Sequence, residues 1–169
     1  MKLIKLDTTD IRILCVLQSH GQLSKSKLAE IVGLSPTPCW ARLARLKKAG
    51  LIRGYHAEIA LMKIVELTKV VVTVSLKRHR KTDFEKFESY ILHTPEITDC
   101  ISTGGGMDYV MTVVTTSLPA FQMMMEAMLE ADLAIDRYMI YIATRQIKSN
   151  RPDLAMLASG QATKRELRA

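Results

Sequence analysis

A chain of 169 residues has room for one domain or two small ones and excludes a large multidomain enzyme. With 48% hydrophobic and 24% charged residues it can bury a core, which excludes a disordered protein, and no apolar run approaches the ~18 residues of a membrane span. The 24 basic residues outnumber the 17 acidic ones by seven, and three cysteines without a C-x-x-C pair (Cys15, Cys39, Cys100) argue against a disulfide framework or a zinc ribbon.

Along the chain, Asp7, Thr8 and Thr9 offer N-cap side chains before Ile13, Leu14 and Leu17, which predicts a first helix over about 8–19. Lys5 and Asp7 also interrupt any leader-like apolar stretch, so a cytoplasmic protein is expected. Ser24 starts a second, short helix with Leu28, Ile31 and Val32 as its apolar face, and Gly33 suits the turn after it. Ser35 then caps a third helix with Pro36 at its first position, running to about Ala49 with Gly50 as its left-handed terminator. On that helix Cys39, Leu43 and Leu46 form one stripe, read as core. Pro38, Arg42, Arg45 and Ala49 form another about a quarter turn away, read as facing out. Residues 51–59 alternate enough to predict a strand pair or wing, followed by a connector to about Thr68.

From Lys69 the periodicity becomes strand-like, with Val70, Val72, Val74 and Leu76 on one face. Phe84, Phe87 and Ile91 predict a helix over about 82–93. Ile97–Thr103 and Tyr109–Thr115 predict two strands joined by the turn Gly104-Gly105-Gly106. Ser117 and Pro119 open a helix carrying Phe121, Met124, Met125 and Met128, and Tyr138–Thr144 predicts a last strand. The order β-α-β-β-α-β is the ferredoxin-like arrangement, in which two helices cover one sheet face and leave the other bare, so self-association is expected. The fold class is thus α+β. Its parts are a helix-turn-helix domain over 1–54, a wing strand and linker over 55–68, a βαββαβ domain over 69–149, and a loosely ordered tail over 150–169.

The charge is unevenly placed. Residues 1–54 hold ten basic against three acidic residues, and the remainder holds fourteen of each, so the whole excess belongs to the helix-turn-helix. A basic helix-turn-helix points to double-stranded DNA as partner. Arg42 and Arg45 are the candidates for base-edge or phosphate contact, since the guanidinium fork can address guanine N7 and O6. Ser35 and Thr37 sit where a helix N-terminus favours phosphate. Lys47, Lys48 and Arg53 are candidates for neutralising the backbone. Cys39, on the core stripe, reads as a small buried hydrophobe, and Trp40 as a domain-packing residue.

The run Gly33-Leu34-Ser35-Pro36-Thr37-Pro38-Cys39-Trp40-Ala41-Arg42-Leu43-Ala44-Arg45-Leu46, with Ala49-Gly50-Leu51-Ile52-Arg53-Gly54-Tyr55 behind it, resembles the reading helix and wing of the Lrp/AsnC family of feast/famine regulators. The resemblance extends from Leu6 to about Lys148. It implies a nucleoid-associated, sequence-specific transcriptional regulator that dimerises through its second domain, assembles to tetramers or octamers, and responds to an amino acid or related metabolite. The family's sensing turn commonly reads Gly-Asp-(Phe/Tyr)-Asp-Tyr. Here it reads Gly105-Gly106-Met107-Asp108-Tyr109, so Gly106 and Met107 depart. Segments Thr103–Tyr109 and Ile135–Tyr141 further resemble members that accompany genes for ectoine breakdown.

For the effector, exposed N–H groups at Gly105 and Gly106 would hold a carboxylate and Asp108 an ammonium group, with Tyr109 and Tyr141 shaping the pocket. The bland reading of the same glycines is a flexible hairpin. His20, His56, His79 and His93 lack metal-ligand spacing, the glycine turn lacks the lysine of a phosphate loop, and no nucleophile–base pair is evident. Neither cofactor nor catalysis is expected. Two other classes remain open: a regulatory module of an enzyme assembly, which leaves the basic helix-turn-helix unexplained, and a ligand-independent architectural DNA-binding protein.

Overall fold

The structure, a computed structural model, describes residues 4–159. It divides into two compact units, one formed by residues up to Glu58 together with those from Ser149 onward, the other by Ile59–Lys148.

In the first unit, three helices follow one another: α1 (Thr8–His20), α2 (Lys25–Val32) and α3 (Pro36–Lys48). Asp7 caps α1 reciprocally with Asp10: the Asp10 amide donates to the Asp7 carboxylate at 2.8 Å and the Asp7 amide to Asp10 Oδ2 at 3.2 Å. Gly33 ends α2 in the left-handed region (φ 68°), where a side chain would be strained, and its amide closes the helix onto Ala29 and Glu30 carbonyls. Arg12 Nη1 donates to the Val32 carbonyl at 3.2 Å, placing a cation against the C-terminal end of α2. The core joins Ile13, Leu17, Leu28, Ala29, Val32, Cys39, Leu43 and Leu46. Ala29 replaces Ile31 in the expected α2 stripe, because one residue's rotation turns Ile31 out to solvent.

Two expectations for this unit fail. Residues 51–60 contain no strand, since no neighbouring segment of the described chain offers them a ladder partner. The tail, expected to be loose from 150, is folded over its described part. Arg151 Nη1 donates to the Gln18 carbonyl at 2.9 Å, Gln18 Nε2 returns a bond to the Pro152 carbonyl at 3.1 Å, and 154–159 are helical. Residues 160–169 of that tail lie outside the described residues.

The second unit is β1 (Thr68–Leu76), α4 (Lys81–Leu92), β2 (Ile97–Ser102), β3 (Tyr109–Thr115), α5 (Leu118–Glu130) and β4 (Ile135–Ile142), preceded by a 3-10 turn at Leu61–Lys63. The sheet order is β2-β3-β1-β4, antiparallel throughout, which is the ferredoxin-like topology read from the sequence. Val70, Val72 and Val74 pair with Val113, Met111 and Tyr109 on the face covered by Phe87, Ile91, Phe121, Met125 and Met128. The last strand starts at Ile135 rather than Tyr138, and its residues 138–142 are exposed on both faces.

Candidate DNA interface and effector site

Helix α3 buries Cys39, Leu43 and Leu46, so at 100° per residue Thr37, Ala41, Ala44 and Lys48 point directly away from the core. The Arg42/Arg45 stripe, a quarter turn round, faces the acidic start of α1 instead. Arg42 Nη1 reaches Asp7 Oδ2 at 2.5 Å and Asp10 Oδ1 at 2.9 Å, and Arg45 Nη2 pairs with Asp10 Oδ2. The arginine pair expected to project freely is therefore anchored. Arg42, 33% exposed, is the more enclosed, whereas 58% of the Arg45 side chain remains open to solvent. The competing feature was in view in the sequence, as Asp7 and Asp10 are two of only three acidic residues in the first 54.

These contacts set the protonation states. The Arg42 guanidinium and then the Asp10 amide hold Asp7 below the usual carboxylate range. Burial pushes Asp10 up, but Arg45, the Asp7 amide and Arg42 together outweigh it, so Asp10 is also lowered. Arg42 is raised in turn, by Asp7 first and Asp10 second.

Ser35 takes the extended N-cap conformation, yet its hydroxyl makes no capping bond, and both it and Thr37 are exposed. Lys48 and Arg53 are exposed, and Lys47 Nζ lies 5.2 Å from the Tyr55 ring centre. Cys39 is buried and its thiol pushed up by burial, as expected of an inert core cysteine. Trp40, read as a packing residue, lies at the surface of the first unit with Lys25 Nζ 3.8 Å from its ring centre.

The five residues assigned to the effector are not brought together. Tyr109 is buried on the helix-covered face, with its ring 4.6 Å from Phe87 and its hydroxyl donating to Glu88 Oε1 at 2.8 Å. Tyr141 pairs with Val71 on the opposite, open face. Alternation along β1 separates the two, since Tyr109 aligns with Val74 and Tyr141 with Val71. Asp108 is already engaged: its Oδ2 accepts from the Leu76 amide at 2.8 Å and lies 3.1 Å from His79 Nε2, which stacks on Phe84.

The turn itself is closed by Thr103, whose amide donates to the Asp108 carbonyl at 2.8 Å and whose hydroxyl donates to the Met107 carbonyl. Gly105 has φ 139°, a conformation that requires glycine. Among the described residues, the Gly105 and Gly106 amides have no hydrogen-bond acceptor. Arg137 Nη2 comes within 3.5 Å of the Gly106 carbonyl, and its strand partner Ser75 has a buried hydroxyl without a partner, as does Thr73. Arg137, His79, Thr73 and Ser75 are the residues that sequence reading missed. The register of β1 against β4 brings Arg137 beside Ser75, and the contact with Asp108 brings in His79; no local motif marks them. No group of three or more metal-ligating side chains occurs among the described residues, and no helix there is long and apolar enough to cross a membrane.

Residues 6–53 match the winged helix-turn-helix DNA-binding model, and residues 69–153 match the Lrp/AsnC ligand binding domain. The chain is 40% identical over 160 residues to the transcriptional regulatory protein DoeX of Halomonas elongata, spanning 95% of this chain and all of that one. It is 32% identical to the leucine-responsive regulatory protein of Haemophilus influenzae, over 85% of this chain and 86% of that one. Among solved structures, a transcriptional regulator of Neisseria meningitidis in complex with L-Met superposes with a TM-score of 0.83 at 31% identity, covering 90% of this chain and 99% of the other. A helix-turn-helix that carries the chain's net positive charge, a βαββαβ domain following it in the sequence and relatives that are transcriptional regulators rather than enzymes lead to one assignment: the chain belongs to the Lrp/AsnC family of DNA-binding, ligand-responsive transcriptional regulators.

Proposed function

We propose that the protein binds chosen DNA sites through the outer face of α3, as a homodimer that assembles to tetramers or octamers, and that a small zwitterion, an amino acid or a close relative, shifts that binding. The observation that carries this reading is the division of charge between the units. The first holds fourteen basic and six acidic residues, a net +8, and the second ten and eleven, a net −1. A polyanion is attracted to one unit only, and the neutral unit is left for sensing and assembly.

On DNA, Ser35 and Thr37 meet phosphate at the α3 N-terminus, Lys47, Lys48 and Arg53 neutralise the backbone, and Arg45 rather than Arg42 reaches base edges. In the second unit, β4 is a sheet edge with Tyr138, Met139, Ile140, Tyr141 and Ile142 all exposed, an apolar strip that favours a second copy of the chain. Tyr141 belongs to that surface. The effector carboxylate is received by the Gly105 and Gly106 amides with Arg137 beside them, and Asp108, held by Leu76 and His79, keeps the turn in shape and lends the countercharge. The L-Met bound by the Neisseria regulator supports the chemical class of ligand.

The reading is tested by selecting duplexes from a random pool, then footprinting the selected site with and without amino acids and diamino or cyclic relatives while oligomer size is followed by sedimentation. Selective protection altered by one metabolite is expected. Protection without sequence preference or metabolite response would instead establish an architectural role, and a stable monomer at micromolar concentration would refute the assembly.

A further inference from the structure

The side chain of Asp10 is only 1% exposed, yet it is an ion-pair partner of both arginines on α3. Its Oδ1 accepts from Arg42, and its Oδ2 accepts from Arg45 and from the Asp7 amide, so the carboxylate cannot turn without losing a bond. The two arginines are held differently. Arg42 spends Nη1 on both Asp7 and Asp10 and is partly enclosed, as a strut between α1 and α3. Arg45 uses only Nη2, and its Nε and Nη1 donors have no partner among the described residues. An unheld arginine must surrender rotamer freedom when it docks on a base, whereas one gripped along one edge has already done so.

We propose that Asp10 is a positioning residue for base recognition: from beneath the reading helix it grips one edge of the Arg45 guanidinium and leaves the remaining donors aimed at a guanine. Preference at one base pair therefore depends on a buried carboxylate that never touches DNA. The same carboxylate lowers the net attraction for phosphate, trading general affinity for selectivity. This rests on the reading of Arg45 as a base contact given above.

The test uses the full chain with Arg45→Ala, Asp10→Asn and the double variant, measured on a selected duplex, its single-base-pair variants and a scrambled duplex. Trp40 fluorescence confirms that the first unit is folded. Arg45→Ala should relax preference at one base pair. Asp10→Asn should relax the same base pair by about five- to tenfold while affinity for the scrambled duplex holds or rises, and the double variant should lose no more preference than Arg45→Ala alone. If Asp10→Asn does not fold, Asp10→Glu keeps the charge but displaces the guanidinium, and should relax the same base pair. Parallel loss on selected and scrambled duplexes would reduce Asp10 to a structural role and overturn the proposal. So would an unchanged preference in a folded Asp10 variant whose Arg45→Ala counterpart has lost it. If Arg45→Ala leaves every preference intact, the assignment of Arg45 to a base fails first, and the role of Asp10 falls with it.

Discussion

The hydroxyl of Tyr109 on β3 donates to Glu88 Oε1 on α4 at 2.8 Å, from a ring packed against Phe87. Burial first, and then the bond to Glu88, push this phenol well above its ordinary value of 10.0. A raised value means that the folded chain favours the neutral phenol. The stabilisation is complete below pH 10 and is lost as the pH rises from there toward the folded value. Urea unfolding of the second unit should show a declining midpoint above pH 10. Tyr109→Phe should lower stability by about 1 kcal/mol at pH 7 and flatten the alkaline decline.

The first unit should fail at the other end of the scale. Asp7 and Asp10 both titrate below their ordinary value of 3.8, so their ion pairs are fully effective above it and are lost as the pH falls through the lowered folded values. Trp40, the chain's one tryptophan, lies in this unit and reports on it. Its fluorescence-detected urea midpoint should be level between pH 7 and 5 and drop below about pH 4, with a shallower drop in Asp7→Asn.

Ala134 sits in the connection between α5 and β4 at φ 54°, a left-handed conformation that glycine adopts without strain. Its carbonyl also accepts from the Lys77 amide at 2.7 Å, so the conformation is fixed from outside. Ala134→Gly should raise the unfolding free energy by about 0.5–1 kcal/mol, seen as a higher melting temperature with DNA affinity unchanged.

Lys48 points straight out from α3, without the acidic partner that restrains Arg42. Lys48→Ala should weaken binding to every sequence alike and reduce the slope of log affinity against log salt by about 0.9, the release of one phosphate contact. A change in base preference would contradict its role as a backbone contact.

Helix ends, strand runs and topology were legible because caps, prolines and periodicity are local signals: Asp7, Ser24 and Ser117 accept the expected amide bonds, and Pro36 and Pro119 stand in first turns. Direction in space was less so. Arg42 and Arg45 read as outward on a helical projection, and only the arrival of α1 shows that this flank meets Asp7 and Asp10. Tyr109, from the glycine-turn motif, and Tyr141, from the last strand, read in sequence as lining one pocket, whereas pairing register puts them on opposite faces. The wing was over-read for a related reason, as alternation describes a strand's faces but cannot supply the neighbour that its amides need.

The bonds between Gln18 and the Arg151–Pro152 turn mean that the reading head is written in two places, with the whole sensing domain inserted between them. During synthesis, the three helices leave the ribosome first, and roughly a hundred further residues follow before Arg151 and Pro152 arrive to bond with Gln18. A nascent chain therefore finishes its DNA-binding head only after its sensing domain has been made. A chain cut short within that domain lacks the bonds from Gln18 to Arg151 and Pro152, while the core of the three helices, drawn from residues 6–55, is already encoded.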